Sequence, residues 1–103
     1  MRAIHTDKAP AAIGPYSQAV AINGILFTSG QIPIDPRSGI IESAGIEEQT
    51  EQAIQNLKAI LEAAGSDLGH VIKTTCFLQR ISDFPPSTQS MKSIFRPSLP
   101  GAA

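Results

Sequence analysis

Between Gly45 and Gly65 the chain reads "GIEEQTEQAIQNLKAILEAAG", and this stretch narrows the fold more than any other. Ile46, Thr50, Ala53, Leu57, Ile60 and Ala64 recur at three- and four-residue steps, and Ile54 and Leu61 widen them into one apolar stripe. Glu47 and Glu48 fall in the first turn, where the helix dipole favours negative charge, and Gly65 supplies the C-terminal stop. A helix that is apolar on one side needs a surface to lie on. Its neighbours in sequence are strand-like, so the pattern predicts an α+β layer with the helix packed on a sheet.

"RAIHT" reads as a short strand and "APAAIGPY" as a Pro/Gly loop. "YSQAVAI" and "ILFTSGQ" are two apolar runs joined by Asn23-Gly24, the strongest short hairpin signal, and Gly30 ends the second run. In "PIDPRSG", Pro36 is preset for a turn and Gly39 is able to take positive φ. "HVIKTTCFLQ" is rich in β-branched residues and reads as a further strand. It carries Ile72, Cys76 and Leu78 on one face and Val71, Thr75 and Phe77 on the other, so both faces should be covered. These strands and one helix make a thin core, so a second helix and more strands are expected.

The 103 residues suit one small domain, which buries somewhat over ~60% of its unfolded surface. With 42% hydrophobic and 17% charged residues, the composition is that of a globular protein, and no apolar run approaches the ~20 residues needed to cross a bilayer. The N-terminus lacks an apolar signal core and the Arg/Ser richness of a transit peptide, so a cytoplasmic location is expected. A net charge of −1 without a Lys/Arg cluster disfavours nucleic acid as a partner. Cys76 is the one cysteine, which rules out an internal disulfide and a cysteine-based zinc site. Inside a strand it is expected to behave as a small hydrophobe. His5 and His70 lie far apart without partner motifs, so no metal site is expected.

"APAAIGPYSQAV", "FTSGQIPIDPRSG", "QTEQAIQNLKAILEAAGSDLGHVIKTTCFL" and "ISDF" occur in this order and together resemble the RidA family, known under the older names YjgF and L-PSP endoribonuclease. The resemblance runs from about Ala3 to Phe84. It implies a chorismate-mutase-like fold, a mixed sheet backed by two helices, with three subunits closing into a homotrimer with clefts between them. The implied reaction hydrolyses reactive 2-imino and enamine acids, such as 2-iminobutanoate and 2-iminopropanoate, to 2-oxo acids and ammonia. No cofactor is implied.

After Phe84 the pattern breaks. Residues 85–103 are a Pro/Ser-rich run where family members continue with a helix of the type "FNxVYxxYF", then "PARSCVEV" and a last strand. Grouping the third base of each codon for "PSTQSMKSIF" with the first two of the next permits F-N-A-V-Y-E-E-Y-F. The same frame continues to L-P-A-R-S-C. Residues 1–84 are therefore read as the domain and 85–103 as an out-of-frame tail. A coding sequence with no such reading in the neighbouring frame refutes this.

Imine hydrolysis needs a planar guanidinium for the substrate carboxylate, an acceptor that positions a water, and a proton for the leaving nitrogen. In the family an Arg of the "PARS" segment and a Glu of the last strand serve the first two needs, and neither segment is visible here. The resemblance leaves Tyr16, Ser29, Gly30, Gln31 and Phe84 as the substrate-binding wall, and an inactive chain is one expectation. Alone, each has a plainer reading: Tyr16 packing at a strand start, Gly30 ending a strand, Phe84 in a core. Arg37, Arg80 and Arg96 stand outside the family's anchor position and are expected to be solvated, as is the helix face bearing "EEQTE". The alternatives are a non-catalytic trimeric scaffold that binds small carboxylates or proteins, an endoribonuclease, and a misfolded product with open strand edges.

Overall fold

The computed structural model describes residues 1–12, 14 and 16–73. Strands β1 (Arg2–Ile4), β2 (Ala19–Ile22) and β3 (Ile25–Thr28) form an antiparallel sheet in the order β1-β2-β3. Helix α1 spans Ile46–Ala63, and a single 3-10 turn follows at Leu68–His70.

The β2–β3 hairpin turns on Asn23 and Gly24, both at positive φ (51° and 77°), which lets a two-residue loop follow the twist of its strands. Ile22 pairs with Ile25 beside that loop, so the turn fixes the register of the whole hairpin. The expected turn at "PIDPRSG" closes as a small loop: Asp35 N–H donates to Ile40 O, and Gly39 N–H donates to Asp35 O.

Helix α1 keeps its predicted limits. Gly45 is its N-cap, and Gly65, at φ 81°, sits just past its end. There Ser66 N–H bonds to Leu61 O (2.8 Å) and Gly65 N–H to Glu62 O (3.0 Å). This crossed pair satisfies carbonyls that the helix leaves open, and the left-handed residue it needs is cheapest as glycine.

The stripe faces inward as its spacing requires. Ile60 is fully buried and joins Ile4, Ala9 and Ala19 in one cluster, with Leu26, Ala59 and Ala64 packed against it. One sheet face therefore lies under α1, as expected of an α+β layer. Pairing places Ala3, Val20, Ile22, Ile25 and Phe27 together on the other face. Ile22, Ile25 and Phe27 are exposed there, so this face is apolar and open to solvent.

The strand expected at residues 70–79 does not begin where the pattern placed it. His70 belongs to the 3-10 turn, Val71–Lys73 form no ladder, and Ile72 is 80% exposed. The Asp67 side chain explains the start of that turn, because it caps the segment by accepting from Gly69 N–H. Residues 74–79, Phe84, Cys76, the 85–103 tail and the expected second helix lie outside the described residues. Among the described residues no helix is long and apolar enough to cross a membrane.

Candidate functional site

Two buried primary amides organise the loops around the sheet. Gln18 immediately precedes β2 and is 2% exposed. Its Oε1 accepts from Thr6 N–H (2.7 Å), while Nε2 donates to Thr6 O (3.0 Å), Ala9 O (3.3 Å) and Pro10 O (2.8 Å). One side chain thus pairs backbone groups of the 6–10 loop that strand pairing cannot reach.

Asn56 does the same from α1, at 1% exposure. Its Nδ2 donates to Ile32 O (3.0 Å) and Ile34 O (2.9 Å), and its Oδ1 accepts from Gln52 Nε2 (2.9 Å). The irregular backbone after β3 is thereby held against the helix.

Between these two ties lies the segment Ser29-Gly30-Gln31. Ser29 is bound to Gln18 twice: its N–H (2.9 Å) and its Oγ (3.0 Å) both donate to Gln18 O. Gln31 Nε2 approaches Ser29 O at 3.4 Å and Ser29 Oγ at 3.5 Å. Ser29 and Gln31 are half-buried, and Gly30 between them is exposed. A Cβ on Gly30 would meet nothing within 4 Å, so the fold itself leaves room over this backbone.

Three of the residues expected to line a site are thus contiguous and held in place. Tyr16 is linked to them through the chain: it stands two residues before Gln18 and is 56% exposed. Its ring lies by Gly14, near enough that a Cβ there would contact it at 3.6 Å. Phe84 lies outside the described residues.

Arg37 is engaged elsewhere. Its guanidinium pairs with Asp35 through Nη2–Oδ2 (3.3 Å) and Nε–Oδ1 (3.4 Å), and its N–H also donates to Asp35 Oδ1. The Arg37 side-chain and backbone hydrogen bonds hold the Asp35 carboxyl below the ordinary 3.8, and Asp35 raises the guanidinium in turn. This is a loop clasp at the surface.

His5 faces Asp7 at 3.4 Å and His70 faces Asp67 at 2.9 Å, both pairs exposed. The Asp67 carboxyl is lowered first by the His70 hydrogen bond and then by Gly69 N–H. Glu47, Glu48 and Glu51 are exposed along α1, so "EEQTE" presents its carboxylates to water. Arg80 and Arg96 lie outside the described residues. Among the described residues no three His, Cys, Asp or Glu side chains gather as a metal site would require.

Sequence reasoning passed over Gln18 and Asn56. A signal existed for Asn56, which sits three residues after Ala53 and four before Ile60, inside the arc of the apolar stripe. Gln18 stood in a run read simply as strand. Gln18→Leu keeps much of the volume but orphans the 6–10 backbone groups, each worth about 1–3 kcal/mol when left buried. Urea denaturation should show a loss of at least that size. An unchanged midpoint would mean that these groups find water instead.

Comparison with known proteins agrees with this architecture. A family model described as Endoribonuclease L-PSP matches residues 6–102, extending the match past Phe84 into the closing segment. The 2-iminobutanoate/2-iminopropanoate deaminase of Mus musculus is 46% identical over 102 residues, covering 99% of this chain and 76% of that protein. Its Homo sapiens counterpart is also 46% identical over 102 residues, covering 99% of this chain and 74% of that protein. Among solved structures, TdcF of E. coli with bound serine superposes at a TM-score of 0.91 with 38% identity, covering 99% of this chain and 80% of that one. With its hairpin, its helix and its Ser-Gly-Gln segment in place, the chain belongs to the RidA/YjgF enzyme family, the family that the matching model describes as Endoribonuclease L-PSP.

Proposed function

We propose that this protein hydrolyses small 2-imino and enamine acids, of the 2-iminobutanoate and 2-iminopropanoate type, to 2-oxo acids and ammonia. The observation that carries the reading is the 46% identity to mammalian deaminases so named, over 99% of the chain. The serine bound to TdcF is in keeping with it, since a small amino acid has the size and polar groups of such a substrate.

Ser29, Gly30 and Gln31 form one wall of the substrate site in this reading, with Tyr16 and Phe84 completing it. Hydrolysis adds water across C=N, the nitrogen leaves as ammonia, and the oxygen remains as the 2-oxo group. The wall binds and orients, and the bare backbone at Gly30 admits a ligand closely. No cofactor enters the chemistry.

The working form is a cytoplasmic homotrimer with its sites in clefts between subunits. The open apolar face bearing Ile22, Ile25 and Phe27 supports assembly, because exposed contiguous apolar surface favours a partner. Endoribonuclease activity is the weaker reading: the family description names it, but a net charge of −1 gives phosphate little to bind.

A pyridoxal-phosphate threonine dehydratase assay tests the proposal. Adding the protein should speed release of 2-oxobutanoate, and the same preparation should sediment as three copies. Gly30→Val, whose new side chain meets open space in the subunit, should stay folded yet lose at least about tenfold in acceleration, or roughly 1.4 kcal/mol. No acceleration by the parent protein would refute the deaminase reading for this chain, the outcome expected if the missing Arg and Glu segments are indispensable, and an undiminished Gly30→Val would move the site elsewhere.

A further inference from the structure

We propose that Asn23 is a site of spontaneous covalent modification. Its side-chain amide closes onto the Gly24 nitrogen, ammonia is lost, and the isoaspartyl linkage that results unfastens the β2–β3 hairpin from its tip.

Asn23 and Asn56 are the asparagines of this chain, and the fold treats them oppositely. Asn56 is 1% exposed, its Nδ2 donates to Ile32 O and Ile34 O, and its Oδ1 accepts from Gln52. The residue after it, Leu57, lies inside α1, where the helical ladder holds the main-chain nitrogen. Asn23 stands exposed at the hairpin tip. Among the described residues, neither its side-chain amide nor the Gly24 N–H is held in a hydrogen bond. Gly24 carries no side chain to shield that nitrogen, and a Cβ placed there would meet nothing within 4 Å. The attacking nitrogen and the amide carbon therefore share one short loop, both open to water.

The step balances without an oxidant or reductant. Hydroxide takes the Gly24 amide proton, the nitrogen bonds to Asn23 Cγ, and the bond from Cγ to Nδ2 breaks. Nδ2 leaves as ammonia with a proton from water, which restores the hydroxide. A second water opens the five-membered imide. Cleavage at Cγ gives an ordinary aspartate, whereas cleavage at the Asn23 main-chain carbonyl leaves the chain running through Cβ. That second product inserts an extra main-chain atom at a residue held at φ 51°. Only Asn23 and Gly24 separate the paired Ile22 and Ile25, so a longer loop no longer fits the pairing and the register loosens there. The far end of the hairpin, where Ala19 pairs with Thr28, keeps the tie from Ser29 to Gln18.

Incubation of the folded protein at mildly alkaline pH tests the assignment, read by intact mass and by methyl acceptance from an isoaspartyl carboxyl methyltransferase. The mass should rise by the exchange of NH2 for OH, faster at higher pH, and peptide mapping should place the change on Asn23 and leave Asn56 intact. Asn23→Gly, which suits the same turn, should lose methyl acceptance entirely. The isoaspartyl fraction, separated by ion exchange, should unfold at lower urea than the parent. Asn23→Asp, which carries the new charge on an unaltered main chain, should keep the parent midpoint. A folded protein that stays unmodified while the urea-unfolded chain converts would show that the turn protects Asn23, and would overturn the proposal. Methyl acceptance persisting in Asn23→Gly would overturn it as well. An isoaspartyl fraction as stable as the parent would overturn the unfastening.

Discussion

The Gln18 side chain is the point on which the described fold turns. A primary amide at 2% exposure must find partners for its protons and its oxygen, or it costs more than an apolar residue would. Gln18 finds them all in the backbone of one loop, and its own carbonyl then takes both donors of Ser29. Loop 6–10, the start of β2 and the end of β3 become one unit through a single residue. Asn56 repeats the device from the helix, fixing Ile32 and Ile34. Between the two amides, Ser29-Gly30-Gln31 has little freedom left.

That rigidity has a chemical consequence. A hydroxyl free to rotate offers a ligand either a proton or a lone pair, but one tied to a buried carbonyl offers only the lone pair. Such preorganisation lowers the cost of ordering a small ligand.

The architecture was largely legible in the sequence where a local pattern had one physical solution. Asn23-Gly24 between two apolar runs admits few turns other than the one seen, and the Ile54–Ile60–Leu61 spacing fits only a helix with one buried face. Gly65 marked the helix end because the crossed bonds there need a left-handed residue. Long-range polar pairing was not legible: nothing in "YSQAVAI" tells that Gln18 reaches residues eight to twelve positions away. The beginning of the strand expected at 70–79 was missed because the Asp67 cap competes locally with extended pairing. For the proposed site, residue types at 29–31 suggested a wall, while the tie from Ser29 Oγ to Gln18 O that holds it could not be read from the sequence.

Amide chemical-shift mapping during titration with 2-aminobutanoate tests the central claim most directly, because it reports where a small nitrogen-bearing acid sits without assuming turnover. The largest shifts should fall on Ser29, Gly30 and Gln31, with Tyr16 responding beside them. Shifts concentrated on the Asp35–Ile40 loop or along the exposed face of α1, with the Ser-Gly-Gln segment silent, would contradict the account.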